Sequence, residues 1–283
     1  MKKKLICTIS ILVLAAALCS GCSTAPFKTT DSFASYYAKN KEEVGSDLKG
    51  MASDLAVLSD SEATDPNYQS NDYADLLIND STNEVLESYH CFDRLYPASI
   101  TKVMTALLTL EHGNMDDEIT LKHDINLTEN GAVISTLTKG DTVTVGQVFH
   151  TMLIKSANDC AVILAEYVAG SESKFIDMMN AKAKELGATH THFVNPNGLH
   201  DNNHYTTAYD LYLIFKEAVK YDTFVDTVSS KDYTMTYTTP KKTQINEYMQ
   251  STNYYLLNEF PVPEGVVMYG GKTGTTSMAK SCL

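Results

Sequence analysis

Pro97-Ala98-Ser99-Ile100-Thr101-Lys102-Val103-Met104-Thr105-Ala106-Leu107-Leu108-Thr109-Leu110-Glu111 is the stretch on which the reading of this chain turns. Ile100, Val103, Met104, Leu107, Leu108 and Leu110 cover much of a helical circumference instead of one stripe. A helix apolar on most sides is buried on most sides, so the spacing predicts a central helix from about Ser99 to Glu111, stopped by Gly113. Three residues separate Ser99 from Lys102, which puts the two side chains on one face, a turn apart. Unpaired N–H groups at the start of such a helix favour negative charge developing beside Ser99.

Before this helix, Tyr73-Ala74-Asp75-Leu76-Leu77-Ile78 reads as a strand, 79–83 as a turn and 84–89 as the returning strand. After it, Thr144-Val145-Gly146-Gln147 matches a capping box opening a second helix that ends near Ser156. Further helices are expected at about 159–169, 173–186 (closed by Gly187) and 207–220, and a turn at Asn195-Pro196-Asn197-Gly198. Strands are expected near 232–238 and 266–272. The pattern predicts an α+β fold, an antiparallel sheet flanked by a helical subdomain.

The N-terminus has to be set aside before fold reasoning. Met1-Lys2-Lys3-Lys4 precedes an apolar run from Leu5 to Leu18, shorter than the roughly 20 residues of a membrane span. Cys19-Ser20-Gly21-Cys22 then follows, so residues 1–22 read as a signal peptide with a lipobox-like end. Cys22 is the lipidation candidate, although Cys19 stands where leucine is usual; cleavage without lipid is the alternative. Residues 23–70 are Ser-, Asp-, Ala- and Lys-rich with apolar residues at helical spacings, broken by Gly45 and Gly50, and read as a linker or amphipathic stalk. Residues 71–283 are the folded domain. A formal net charge of −13 argues against a nucleic-acid partner. Outside the leader only Cys91, Cys160 and Cys282 remain, so no disulfide framework is implied. His190, His192, His200 and His204 cluster without a supporting carboxylate ligand set; loop and surface roles are expected, with no metal and no cofactor.

Three short motifs carry the chemistry. Ser-x-x-Lys starts at Ser46, Ser99, Ser171 and Ser277, and about one copy is expected by chance, so context must choose. Only Ser99 opens an apolar helix. Ser156-Ala157-Asn158 falls between two helices, and Lys272-Thr273-Gly274, preceded by Gly270-Gly271, closes an apolar run. A serine hydroxyl needs a neighbouring base, and Lys102 can serve if burial and a second cation, Lys272, lower its pKa. Ser156 can pass a proton to a leaving amine, and Asn158 can hold Lys102 and a substrate amide. Lys272 and Thr273 offer a cation and a hydroxyl to a carboxylate. Together the three motifs form the set known from class A β-lactamases and penicillin-binding proteins.

Residues 71–283 resemble the D-alanyl-D-alanine carboxypeptidase family, the low-molecular-mass penicillin-binding proteins of peptidase family S11. Besides the motifs, the resemblance rests on 97–105, on His192-Phe193-Val194-Asn195-Pro196-Asn197-Gly198-Leu199 and on Thr206-Thr207-Ala208-Tyr209-Asp210-Leu211. It implies a β-lactamase/DD-peptidase-like fold and acylation of Ser99 by the penultimate D-alanine of peptidoglycan stem peptides. It also implies oxyanion donors at the N–H groups of Ser99 and Thr275, inhibition by β-lactams, and action outside the cell membrane, to which a lipid at Cys22 would anchor the chain. Family members continue past the third motif with two more strands and a closing helix. The domain is therefore expected to be incomplete, with the third-motif strand lacking its following neighbour. Two rival readings follow: an impaired or inactive surface lipoprotein that binds peptidoglycan, and a serine β-lactamase. No Glu-x-x-Leu-Asn string of class A enzymes is present.

Overall fold

The computed structural model describes residues 55, 56, 58, 73–127, 129 and 131–283. The segment read as a signal peptide, with Cys22, and the segment read as a stalk, apart from residues 55, 56 and 58, lie outside the described residues. Ala56 is buried against the domain: its N–H donates to the Tyr212 hydroxyl at 3.0 Å and its carbonyl accepts from the Tyr209 hydroxyl at 3.0 Å.

Strands β1 (Asp75–Asn79) and β2 (Glu84–Tyr89) form the expected hairpin, with a register shift at Leu77/Ile78. A 3-10 turn, Ala98–Thr101, then leads into α1 (Lys102–His112), so the Ser99 helix begins with a tightened turn instead of an α-helical one. Every residue of α1 from Lys102 to Thr109 is buried. Around it pack α2 (Val145–Ile154), α3 (Asn158–Ala169), α4 (Glu172–Glu185), α5 (Ala208–Ala218) and α6 (Asp222–Val228). Phe149, Met152, Leu164, Phe175, Met179, Ile214 and Phe224 fill the spaces between them. Each such side chain stabilises the fold by about 1.5–3 kcal/mol on burial. Thr144 caps α2 by accepting from Gln147 N, but Gln147 directs its own side-chain oxygen to Thr236 N at 2.7 Å, so only half of the predicted box forms.

The remaining strands are β3 (Glu118–Thr120), β4 (Thr142–Thr144), β5 (Asp232–Thr238), β6 (Gln244–Gln250), β7 (Gly274–Thr276) and β8 (Lys280–Cys282). They pair as a four-stranded antiparallel sheet, β3-β4-β5-β6, and a hairpin, β7-β8. The fold class is α+β as expected, but its strands make three separate sheets among the described residues instead of one. Three further corrections apply. The strand expected at 266–272 is not one: that run crosses the end of α6, where Gly271 N bonds Val228 O, and the strand begins only at Gly274. The third-motif strand does have a following neighbour, since Gly274 pairs with Cys282 and Thr276 with Lys280. β6 was hidden because Glu247 occupies an inward position, where period-two reading expects an apolar residue. Among the described residues no helix is long and apolar enough to cross a membrane.

Residues 192–206 form a loop tied beside the 3-10 turn by bridges from Leu95 to Thr206 and from His192 to Tyr205. Its Asn195–Gly198 turn is closed by Gly198 N on Asn195 Oδ1 at 2.7 Å, and Gly198 has φ +85°. A Cβ there would stand 1.9 Å from the Ala98 carbonyl oxygen. Gly198→Ala should therefore combine a left-handed penalty with a backbone clash and lower stability by about 3 kcal/mol or more. A shift in the urea midpoint measures it; an unchanged midpoint would refute the tight seat.

Candidate active site

Lys102 lies at the first α-helical position of α1, wholly buried. Its Nζ has three partners: Ser99 Oγ at 2.9 Å, Asn158 Oδ1 at 2.8 Å and the Asn197 carbonyl at 2.5 Å. The amide oxygen and the carbonyl can only accept, whereas the hydroxyl can also donate. A neutral amine has two hydrogens and one lone pair, which matches two acceptors and one hydroxyl donor. Burial, and after it the charge on Lys272, pull the Lys102 pKa well below the usual lysine range. Both causes disfavour the charged amine, and once neutral it has a lone pair to offer the Ser99 hydroxyl. Ser99 itself is half-buried and reachable from outside.

Asn158 opens α3 and is orientated from both ends. Its Oδ1 accepts from Lys102, its Nδ2 donates to the Val133 carbonyl at 3.0 Å, and its backbone N–H donates to the same carbonyl at 2.8 Å. Ser156 sits in the link between α2 and α3 with φ +63°, and Ala98, just before Ser99, has φ +47°. A non-glycine residue in that region costs of order 1–3 kcal/mol, and such strain persists where surrounding contacts over-determine it.

Lys272 is 3% exposed. Its Nζ donates to Ser156 Oγ at 3.0 Å and to the Thr273 carbonyl at 2.7 Å, and burial pulls its pKa down to about 7. Thr273 shares a 2.6 Å hydrogen bond between hydroxyls with Thr252. Gly274 lies against the 3-10 turn so closely that a Cβ would stand 3.0 Å from Ser99 N and 3.1 Å from Ala98 Cβ. This approach sets the start of β7, and with it exposed Thr275, beside the Ser99 backbone.

The structure thus brings Ser99, Lys102, Asn158, Ser156, Lys272, Thr273, Gly274 and Thr275 into one place, from a helix start, a helix–helix link and a strand start. Sequence reasoning missed the Asn197 carbonyl, the Val133 carbonyl and the Thr252 hydroxyl. Backbone acceptors have no side-chain signature, and Thr252 is adjacent in space only because Gly270-Gly271 lets the chain pass close to α6. His204 departs from its expected surface role. It is 2% exposed, accepts from Val194 N on Nδ1 and meets Thr101 Oγ1 on Nε2 at 2.8 Å; burial lowers its pKa to about 4, so the ring is neutral. Among the described residues no group of three His, Cys, Asp or Glu could hold a metal ion.

Comparison with known proteins agrees with this geometry. The model of the D-alanyl-D-alanine carboxypeptidase family matches residues 59–283. The chain is 35% identical over 212 residues to the D-alanyl-D-alanine carboxypeptidase DacF of Bacillus subtilis, across 74% of this chain and 52% of that protein. Over 217 residues it is 31% identical to the D-alanyl-D-alanine carboxypeptidase of Streptomyces sp. strain K15, covering 73% of this chain and 72% of the other. The crystal structure of the Streptomyces K15 DD-transpeptidase is similar at a TM-score of 0.65 and 29% identity, covering 74% and 81% of the two chains. The chain belongs to the D-alanyl-D-alanine carboxypeptidase family. It spans about half the length of DacF (52%) and of Escherichia coli DacC (50%).

The buried lysine has a thermodynamic signature. The unfolded chain keeps a proton on Lys272 up to about pH 10.5, the folded chain only up to about 7, so stability falls as pH drops from 10.5 towards 7. The full difference corresponds to about 5 kcal/mol. Lys272→Met should be more stable relative to the parent chain at pH 6 than at pH 9, by several kcal/mol, in urea titrations at the two pH values. An equal difference at both would show that Lys272 is not desolvated.

Proposed function

We propose that this chain is a serine-type D-alanyl-D-alanine carboxypeptidase that removes the terminal D-alanine from peptidoglycan stem pentapeptides through an acyl-enzyme on Ser99. The observation that carries the reading is the wholly buried Lys102 amine, bonded to Ser99 Oγ and to two groups that can only accept. A lysine so placed is a base ready to take the serine proton.

In this reading the substrate carboxylate is held by Lys272 and Thr273. Lys102 takes the proton from Ser99 Oγ, which attacks the carbonyl carbon of the penultimate D-alanine. The oxyanion is met by the N–H groups of Ser99 and Thr275, and donors of this kind contribute about 10²–10³-fold each. The proton held by Lys102 passes through the Ser156 hydroxyl, itself bonded to Lys272 Nζ, to the departing amine as the C–N bond breaks and D-alanine leaves. Water, deprotonated by Lys102, then cleaves the Ser99 ester and restores the hydroxyl. A β-lactam would acylate the same serine and persist there. The family match weighs against rapid β-lactam hydrolysis. The basic, apolar start of the chain supports export to the outer face of the cell membrane, with Cys22 as the lipid attachment point.

Mass spectrometry after benzylpenicillin treatment should find a stable adduct on the peptide containing Ser99, absent in Ser99→Ala. Rapid nitrocefin turnover, or no adduct at all, would overturn the reading. The pH profile of kcat/KM should rise as Lys102 loses its proton and fall as Lys272 loses its own, with the falling limb near 7 in the free enzyme. A rate still rising above pH 9 would remove Lys272 as the required cation.

A further inference from the structure

Glu247 has no part in the chemistry above, yet both its oxygens are spent on groups beside the site. It stands on β6, the edge strand of the four-stranded sheet, with its side chain 10% exposed. Oε2 accepts from Thr136 N at 3.0 Å and from Thr136 Oγ1 at 2.6 Å, and Oε1 accepts from Lys155 Nζ. Burial pushes the carboxyl up, but the bonds from Lys155 and Thr136 outweigh it and hold the pKa below the usual glutamate range. The group is therefore ionised near neutral pH, and hydrogen bonds to an ionised acceptor are roughly twice as strong as neutral ones.

Each partner of Glu247 leads to the site. Thr136 lies three residues after Val133, whose carbonyl accepts from both nitrogens of Asn158. Val133, Ile134 and Thr136 are exposed, so apolar packing does little to fix this stretch and polar ties must do it. Ser135 donates to Asp159 from its N–H at 2.9 Å and from its hydroxyl at 2.5 Å, but Asp159 is on α3, the helix that also carries Asn158. That bond leaves the placement of the stretch against the sheet open. Glu247 supplies it, with the Tyr237 hydroxyl of β5 at 3.2 Å from Thr136 Oγ1. Lys155, the second partner, directly precedes Ser156 with its left-handed backbone. One carboxylate thus joins the two backbone stretches that place Asn158 and Ser156.

We infer that Glu247 is a positioning residue for acylation of Ser99: by bridging Thr136 and Lys155 it fixes the Val133 carbonyl, and through it the turn of the Asn158 amide towards Lys102. The inference rests on the carboxypeptidase reading and adds to it a residue that acts through Asn158. Displacing a reacting group by about 1 Å costs about 10²-fold in rate. Asp159 still holds the stretch when Glu247 is lost, so the displacement is smaller and the expected cost is about tenfold.

The test is a double-mutant cycle read as the rate constant for acylation by a fluorescent penicillin, taken from time courses scaled to their own end points. Scaling removes any loss of folded protein, so a purely structural effect leaves the rate constant unchanged. Glu247→Ala should lower it about tenfold in the otherwise unaltered chain, and by less than about twofold when Asn158→Ala is already present. Glu247→Gln fills the same volume and keeps one oxygen for Thr136 while losing the charge on Lys155; it should fall about threefold, and this loss too should vanish beside Asn158→Ala. Should Glu247→Ala yield no labelled protein, the cycle with Glu247→Gln decides. A parental rate in both variants, or an equal loss with and without Asn158, overturns the positioning role alone. Absence of penicillin acylation in the parent overturns the peptidase reading and the positioning role with it.

Discussion

A lysine amine without an ion pair, sealed at the start of a buried helix, is the constraint around which this structure is arranged. Charging Lys102 there places a cation in the interior, and burial is the first cause that pulls its pKa down. The buried amine keeps its hydrogen bonds only if each partner is of the right kind and fixed in orientation. Asn158 meets that condition because its amide nitrogen is bonded to Val133 O, which turns its oxygen to Lys102. The Asn197 carbonyl meets it because Gly198 folds the loop onto Ala98. Lys272 adds a second buried amine, whose charge pushes Lys102 further towards neutrality. Two desolvated lysines contribute nothing to stability near neutral pH and cost some of it, so a large apolar core has to offset them. The dense packing of α1 against Phe149, Met152 and Leu164 supplies that margin.

Strain is concentrated at the same place. Ala98 and Ser156 are both left-handed without being glycine, and both flank a group that the reaction would use. Each is held by neighbours that outweigh the cost: Ala98 by Gly198 and Gly274 pressing from two sides, Ser156 by the Lys272 bond and the helices on either side of it. Substituting either glycine removes the space that allows the strained backbone its position.

Much of this was legible in the residues, for a definite reason. α1 announces itself because burial on nearly all sides leaves apolar residues at nearly every turn, and α2 to α5 carry the same periodic signal. The motif residues converge as expected since each belongs to an element whose type could be read. What escaped was set by contacts distant in sequence. Val266 and Val267 look like strand residues, yet they are exposed, because a strand needs a partner and this run passes beside α6 instead. Glu247 broke the alternation of β6 because it answers Lys155 and Thr136 across the sheet edge, a pairing that no local window contains. His204 looked like one more loop histidine; only the fold buries it under Thr101.

The 192–206 loop ties the base to the backbone before the nucleophile. Through Asn197 it meets the base, and through Gly198 it sets the backbone before the nucleophile. These contacts come from successive residues on a segment whose ends are bridged to Leu95 and Tyr205. A shift of this segment therefore also moves the carbonyl on Lys102. The backbone at 195–198 is fixed in turn, because the carbonyl oxygen of Asn197 is one of the three atoms bonded to the Lys102 amine.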